Sequence, residues 1–215
     1  MKKEIKIAVI GGTGKSGKYL VKQLINRSFQ IKILLRNSDN FQINSPLVEV
    51  VNGDVANYSS VNILLKGCQA VISTLGLGVP ASEPTIFSQA TTNVIQAMNE
   101  YNVRRYIVTT GLNVDTPFDN KSSKTSFATG WMRNKYPIST SNKQSEFDIL
   151  TNSNNIDWTL VRLPLIEQTD ESGQINVSLE DCLGDKISAT DLANFLIEQL
   201  FTDTFVRKSP FIASV

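Results

Sequence analysis

Three glycines, Gly11, Gly14 and Gly17, stand at three-residue steps in the stretch IAVIGGTGKSGKYL, and Gly14-Lys15-Ser16 within it has the ending of an NTPase phosphate loop. Both patterns hold phosphate on backbone N–H groups, but they make different demands. The NTPase loop is G-x-x-x-x-G-K-[ST], long enough to wrap a β-phosphate. Its first glycine would fall at position 9, which is Val9, inside an apolar run. The later apolar runs AVISTLG and RYIVTTG also end without the aspartate that would hold magnesium. A dinucleotide turn needs one glycine to leave the strand, a second to let the backbone approach a pyrophosphate and a third to pack helix against sheet. The phosphate charge then sits at the positive end of the helix. Gly11, Gly14 and Gly17 meet those needs in order, so the dinucleotide reading is preferred.

The residue ending the next apolar run bears on which dinucleotide. An acidic residue there accepts from both ribose hydroxyls of NAD, whereas a 2′-phosphate wants a cation. The run ILL ends at Arg36, followed by Asn37 and Ser38, and Lys15 offers a second positive charge. This favours NADPH over NADH, although a solvated strand-end arginine would give the same letters. No histidine occurs in the 215 residues, which excludes an imidazole base and a His-ligated metal. Net charge is +1, with 21 basic and 20 acidic residues spread along the chain, so neither nucleic acid nor an anionic membrane is an expected partner. Cys68 and Cys182 have no CxxC or Cys/His spacing and read as buried, reduced thiols of a cytoplasmic protein. Oligomeric state is not readable.

These residues need a scaffold. Met1-Lys2-Lys3 imitates a signal-peptide start, but Glu4 and Lys6 interrupt it, and Ile5 to Ile10 reads as a strand. Apolar strands at 31–35, 48–51, 70–75 and 105–110 alternate with helical patterns at 15–26, 58–65 and 86–101. Continuously apolar strands separated by helices imply an α/β fold with a doubly wound parallel sheet, and one nucleotide-binding domain over 1–215. Ligands of such sheets bind beyond the carboxyl ends of the strands, where chain direction reverses between the first and fourth. From Val114 to about Ile138 no period holds, and residues 114–138 are expected to form an irregular loop or lid over a substrate site. A helix at 141–151, the strand WTLVRLP, a helix capped by Ser188 with Asp191 three residues on, and a last strand SPFIAS complete the chain.

In order and spacing, IGGTGKSG, LLRN, VNGDV, GCQAVISTLG and NVIQAMNEYNVRRYIVTTG resemble the atypical short-chain dehydrogenase/reductases. Within that group the chain is most similar to the small NAD(P)H-binding members, the biliverdin-IXβ and flavin reductases and the NmrA-like regulators. The likeness runs through LVRLP to ISATDLANFL. It implies a Rossmann fold in which Gly11, Thr13, Gly14, Lys15, Ser16 and Gly17 hold the pyrophosphate of NADP, or of NAD, and Arg36 the adenosine 2′-phosphate. Asp54 and Val55 would flank the adenine, Thr74, Leu75 and Gly76 the ribose, Thr109 and Thr110 the nicotinamide, and Pro164, Leu165 and Ile166 its carboxamide. Asp54 is also explained as a cap of the helix that follows.

The chain departs from the family at the acid. Its better-known members use Tyr in Y-x-x-x-K, where the lysine lowers the phenol's pKa. Here no tyrosine has a lysine four residues later; Ser139 takes that place ahead of Lys143. A serine is too weak an acid for the role. Two readings follow from the resemblance. In one, Lys143 orients the nicotinamide ribose and Thr110 the substrate, while a flat conjugated acceptor, such as a flavin, quinone-like compound or tetrapyrrole, takes hydride and draws its proton from water. Phe118, Phe127, Trp131 and Tyr136 would then cover a small-molecule substrate. In the other, the protein is an NmrA-like sensor that binds NADP(H) without chemistry.

Overall fold

The computed structural model describes residues 5–39, 41–78 and 81–215. The reading of Met1 to Glu4 lies outside the described residues. Strand β1 (Lys6–Ile10) leads through the glycine turn to helix α1 (Gly17–Asn26) and strand β2 (Gln30–Leu35). Then come β3 (Val48–Asn52), α2 (Tyr58–Leu65), β4 (Ala70–Ser73), α3 (Ile86–Tyr101) and β5 (Arg105–Gly111). The second half comprises α4 (Ser123–Lys135), α5 (Pro137–Thr151), β6 (Asp157–Leu163), β7 (Leu165–Glu167), β8 (Ile175–Ser178), β9 (Lys186–Ser188), α6 (Ala189–Glu198) and β10 (Phe211–Ser214).

Eight strands form one sheet in the order β3-β2-β1-β4-β5-β6-β10-β8, parallel throughout except for β8 against β10. A small parallel pair, β7 and β9, stands apart. The alternation of side chains along each strand divides the core in two. Ala8, Val71, Tyr106 and Leu160 face α2, α3 and α5 on one side, while Ile7, Val9, Ile72, Ile107 and Val161 face α1 and α6 on the other. Both faces are covered, which is why the central strands are predominantly apolar. The winding reverses between β1 and β4, so the connections leaving their carboxyl ends run to opposite faces of the sheet and leave a crevice, as expected of a doubly wound sheet.

Two local expectations are corrected. The stretch 114–138 is irregular only as far as Ser122, after which α4 runs for 13 residues and α5 begins at Pro137, four residues before the expected start. Helix α4 buries Thr125 and Thr129, one turn apart, so its inward face has no apolar signature. Pro137 serves as a first-turn residue, where the missing N–H costs nothing. The capping box of α6 is half formed. Ser188 Oγ accepts from the Thr190 and Asp191 amides, but Asp191 accepts from Ser172 Oγ at 2.5 Å and the Gly173 amide, and so ties down the preceding loop.

Candidate functional site

A cavity of about 1550 Å³ opens at the carboxyl ends of β1, β2, β4, β5 and β6. At one end is the glycine turn. Gly11 has φ +75°, and a Cβ there would lie 2.6 Å from the Thr74 carbonyl oxygen, so β1 can turn beneath β4 only with glycine at this position. A Cβ on Gly17 would fall 2.0 Å from the Gly11 oxygen; the first residue of α1 is pressed onto the turn. Gly17 is therefore the one residue of the expected cofactor-binding set that does not line the cavity, and its part is packing. Among the described residues the amides of Thr13, Lys15 and Ser16 donate to no protein group, and Ser16 caps α1 without a side-chain hydrogen bond. They are the unsatisfied donors of a helix start, a natural anion cradle.

Thr13, Gly14, Lys15, Ser16, Arg36, Asp54, Val55, Thr74, Leu75 and Gly76 line the same end of the cavity. Arg36 is exposed and donates from Nη1 to Ser82 Oγ at 3.0 Å, joining the end of β2 to the loop after β4. Asp54 does not cap α2. Its Oδ1 accepts from the Ala56 amide at 2.8 Å, and the cap is Asn57, which accepts from Ser60. Thr74 Oγ1 donates to the carbonyls of Ile10 and Gly11, fixing β4 against the turn.

Thr109, Thr110, Lys143, Pro164, Leu165 and Ile166 surround the middle of the cavity. Thr110 is 3 % exposed and its Oγ1 has no partner in the protein, so a buried hydroxyl is left for whatever fills the space. Lys143 is not a surface lysine. It is partly buried, with Nζ 4.8 Å from the Phe87 ring centroid. Burial holds its ammonium below the usual lysine range, against the pull of Glu146 one turn on. Ser139 lies outside the lining and donates to the Tyr136 carbonyl.

Helix α4 closes the far end with Lys124, Thr125, Ala128, Trp131 and Met132, opposite Cys182, Gly184 and Asp185. An ion pair between Lys124 and Asp185 crosses the gap. Of the four aromatics expected as a cover, Trp131 and Tyr136 line the cavity and pack edge to face, while Phe118 and Phe127 point to solvent. Burial pushes the Cys68 thiol up to about 11 and raises Cys182 too, so both stay protonated. Sequence reasoning missed Ser82, Lys124, Asp185 and the 182–185 loop, none of which belongs to a spaced motif.

The lining carries four cations, Lys15, Arg36, Lys124 and Lys143, against the carboxylates Asp54 and Asp185. A long cleft with bare amides at its head and an excess of positive charge suits an extended, polyanionic nucleotide, and a family model for NAD(P)H-binding proteins matches residues 11–203. The chain belongs to this NAD(P)H-binding family. Its fold is shared with an oxidoreductase of Lactococcus lactis, with 20% identity over 98% of this chain and 91% of that one and a TM-score of 0.78. It is also shared with a candidate NADH-flavin reductase of Streptococcus pneumoniae, at 20% identity, 98% and 100% coverage and TM-score 0.77. A short-chain dehydrogenase/reductase of Veillonella parvula, crystallised with NADP, matches at 16% identity, 98% and 94% coverage and TM-score 0.79.

The residues present fit the cofactor of this NAD(P)H-binding family: glycine where a Cβ would collide, free amides at the turn and an unpartnered threonine hydroxyl in the middle of the cleft. Among the described residues no group of three or more His, Cys, Asp or Glu could hold a metal ion. No helix there is long and apolar enough to cross a membrane.

Proposed function

We propose that this chain is a cytoplasmic, single-domain NADPH-dependent reductase that acts on a flat, conjugated small molecule such as a flavin, a quinone-like compound or a tetrapyrrole. The carrying observation is the continuity of the cavity. It runs from the amides of the glycine turn past Thr110 and Lys143 to a wall made by Trp131, Met132 and Tyr136, so a donor and a flat acceptor have adjoining places.

In this reading the amides of Thr13, Lys15 and Ser16, at the positive end of α1, hold the pyrophosphate, Gly11 and Gly14 let it approach, and Gly17 lets α1 pack onto the turn. Arg36 and Ser82 take the adenosine 2′-phosphate. Asp54 and Val55 flank the adenine; Thr74, Leu75 and Gly76 contact the ribose. Thr109, Thr110 and the Pro164–Ile166 segment frame the nicotinamide, and Lys143 orients its ribose. When bound, the dinucleotide supplies a hydride. The chain's own contribution is to bring the two rings together, to exclude water with α4 and to admit a proton. Residues 114–138 keep their part as a lid, with α4 as its body. Hydride transfer to an electron-poor ring needs no strong acid at the site, which is consistent with Ser139 standing where the family's tyrosine would be.

The test mixes the protein with NADPH and FMN, riboflavin or biliverdin and follows nicotinamide absorbance. Consumption of NADPH with at least one acceptor is expected. Tight NADP(H) binding with no turnover on any flat acceptor would replace the reductase with an NmrA-like sensor.

A further inference from the structure

The two ends of the cavity differ in charge. Around the glycine turn its lining holds Lys15 and Arg36 against Asp54, whereas at the far end Lys124 and Asp185 balance one to one. Both far-end residues sit on anchored backbone. Lys124 is in the first turn of α4, which Ser122 caps, and the chain just ahead of it is tied down by the Asn120 amide donating to the Glu180 carbonyl at 3.0 Å. Asp185 immediately precedes β9. Its carbonyl accepts from the Leu165 amide at 3.2 Å, and Gly184 lies so close to β10 that a Cβ there would be 2.8 Å from that of Ala213. The two side chains meet across the gap and, among the described residues, bond to no other group. They are 72 % and 68 % exposed, so the pair stands open to a ligand.

An ammonium in contact with a carboxylate still has N–H bonds to give and oxygen lone pairs to offer. The pair therefore presents a donor and an acceptor side by side at the cavity wall. Its complement is a group with C=O and N–H on one edge. A cis amide, held so in a lactam or cyclic imide, has that edge; the trans amide of an open chain points the two in opposite directions. A quinone has the carbonyl and lacks the N–H. The balanced charge of the pair also suits a neutral edge better than an anion. Trp131 follows Lys124 by seven residues on α4, and both line the cavity, about 10 Å apart along the helix axis. A flat multi-ring body can rest along the indole while its edge reaches the pair.

We propose that Lys124 and Asp185 are specificity determinants for the acceptor, and that its class is a flat ring system ending in a lactam or cyclic imide. The edge carbonyl accepts from Lys124 Nζ, and the edge N–H donates to the Asp185 carboxylate. The proposal rests on the reductase reading and narrows its acceptors: the imide edge of a flavin and the lactam end rings of an open tetrapyrrole qualify, and quinone-like compounds do not.

Quenching of flavin fluorescence on the NADP⁺-saturated protein tests this without turnover. The probes are lumiflavin and 3-methyllumiflavin, in which a methyl group replaces the imide hydrogen. Lumiflavin should bind the parent at least about tenfold more tightly, the effect of one hydrogen bond to a charged group. In Asp185→Ala the ratio should fall to about two or less, through weaker binding of lumiflavin. Lys124→Met should weaken both flavins severalfold, since both keep the carbonyl. Both side chains are exposed, and NADP⁺ affinity, set at the other end of the cavity, reports that the variants are folded. Equal affinities in the parent, an undiminished ratio in Asp185→Ala, or a ratio that falls only because 3-methyllumiflavin binds better overturns the edge recognition. So does menadione, competing as tightly as lumiflavin, or a protein that binds NADP⁺ and neither flavin. Failure to bind NADP⁺ overturns the cofactor reading and this proposal with it. Discrimination between the flavins without oxidation of NADPH overturns only the reductase reading and leaves the edge recognition standing.

Discussion

Two buried charged clusters flank the cavity, and they are built on opposite plans. Arg162, at 0 % exposure in β6, has an acceptor at each nitrogen of its guanidinium. Nε donates to the Ser209 carbonyl at 2.9 Å, Nη1 to the Val114 carbonyl and to Asp119 at 2.5 Å, and Nη2 to the Leu179 carbonyl at 3.0 Å; the plane lies 3.5 Å over the Phe211 ring. Glu146, equally deep, keeps one oxygen without a partner. The first cluster ties the 114–122 loop, which carries α4, to the sheet. The second borders the site and is left incomplete. A satisfied buried charge has nothing left to offer a ligand, whereas an unsatisfied one titrates or binds.

Breaking the satisfied cluster should have the largest effect. Arg162→Met takes one donor from Asp119 and from each of three carbonyls, a loss of about 3–5 kcal/mol for a severed buried pair. Lys121, 3.3 Å from Asp119, retains part of the compensation, so about 3 kcal/mol is expected in chemical denaturation. A loss under about 1 kcal/mol would mean that the cluster is no more than a surface pair in its energetics. The incomplete cluster should show itself in pH dependence. The folded-state pKa of Glu146 is raised from 4.5 to about 7, so below 4.5 both states are protonated and between these values only the folded state keeps its proton. Its stabilising contribution is thus present at low pH and lost as pH rises through about 7. Against Glu146→Gln, the parent should lose roughly 3 kcal/mol of stability between pH 4.5 and 7.5; parallel stability profiles for the two would contradict the raised pKa.

The difference between the clusters also explains what the sequence could and could not disclose. The glycine spacing, Arg36 and the apolar runs are local features whose causes lie within a few residues, so the turn, the parallel sheet and the residues lining the glycine-turn end of the cavity were readable. Helix α4 was not, because its buried face is Thr125 and Thr129 and a polar-looking stretch conceals a helical period. Strands β7 and β9 have three residues each, too few for a pattern. Arg162 lies within LVRLP, an otherwise apolar strand, and nothing nearby in sequence tells that Asp119 and the Leu179 carbonyl will meet it. Lys143 was singled out by its offset from Ser139, but the bond of Glu146 to Thr91 became visible only when α3 was set against α5.

Arg36 extends the comparison to a cation at the surface, exposed on the cavity rim and hydrogen-bonded to Ser82. Arg36→Glu places a carboxylate where a 2′-phosphate is expected. NADPH affinity should fall by about tenfold or more, roughly 1.4 kcal/mol, with NADH affinity held or improved. Stability should change by no more than about 1 kcal/mol, the range of exposed ion pairs. Equal affinity of the parent for NADPH and NADH would remove the phosphate assignment.

The smallest effect, and the sharpest use of the contrast, is at Thr110. Its Oγ1 is buried without a partner, so the folded protein already bears the cost of desolvating it. Valine has nearly the same shape and no hydroxyl. Thr110→Val should therefore leave stability unchanged or raise it by up to about 1 kcal/mol, the reverse of Arg162→Met. Binding moves the other way: if the hydroxyl is kept for the nicotinamide or the acceptor, affinity or turnover should drop severalfold although the protein is no less stable. A variant that loses stability would show that Oγ1 has a partner within the fold, and one that binds and turns over as the parent does would leave the hydroxyl without a function.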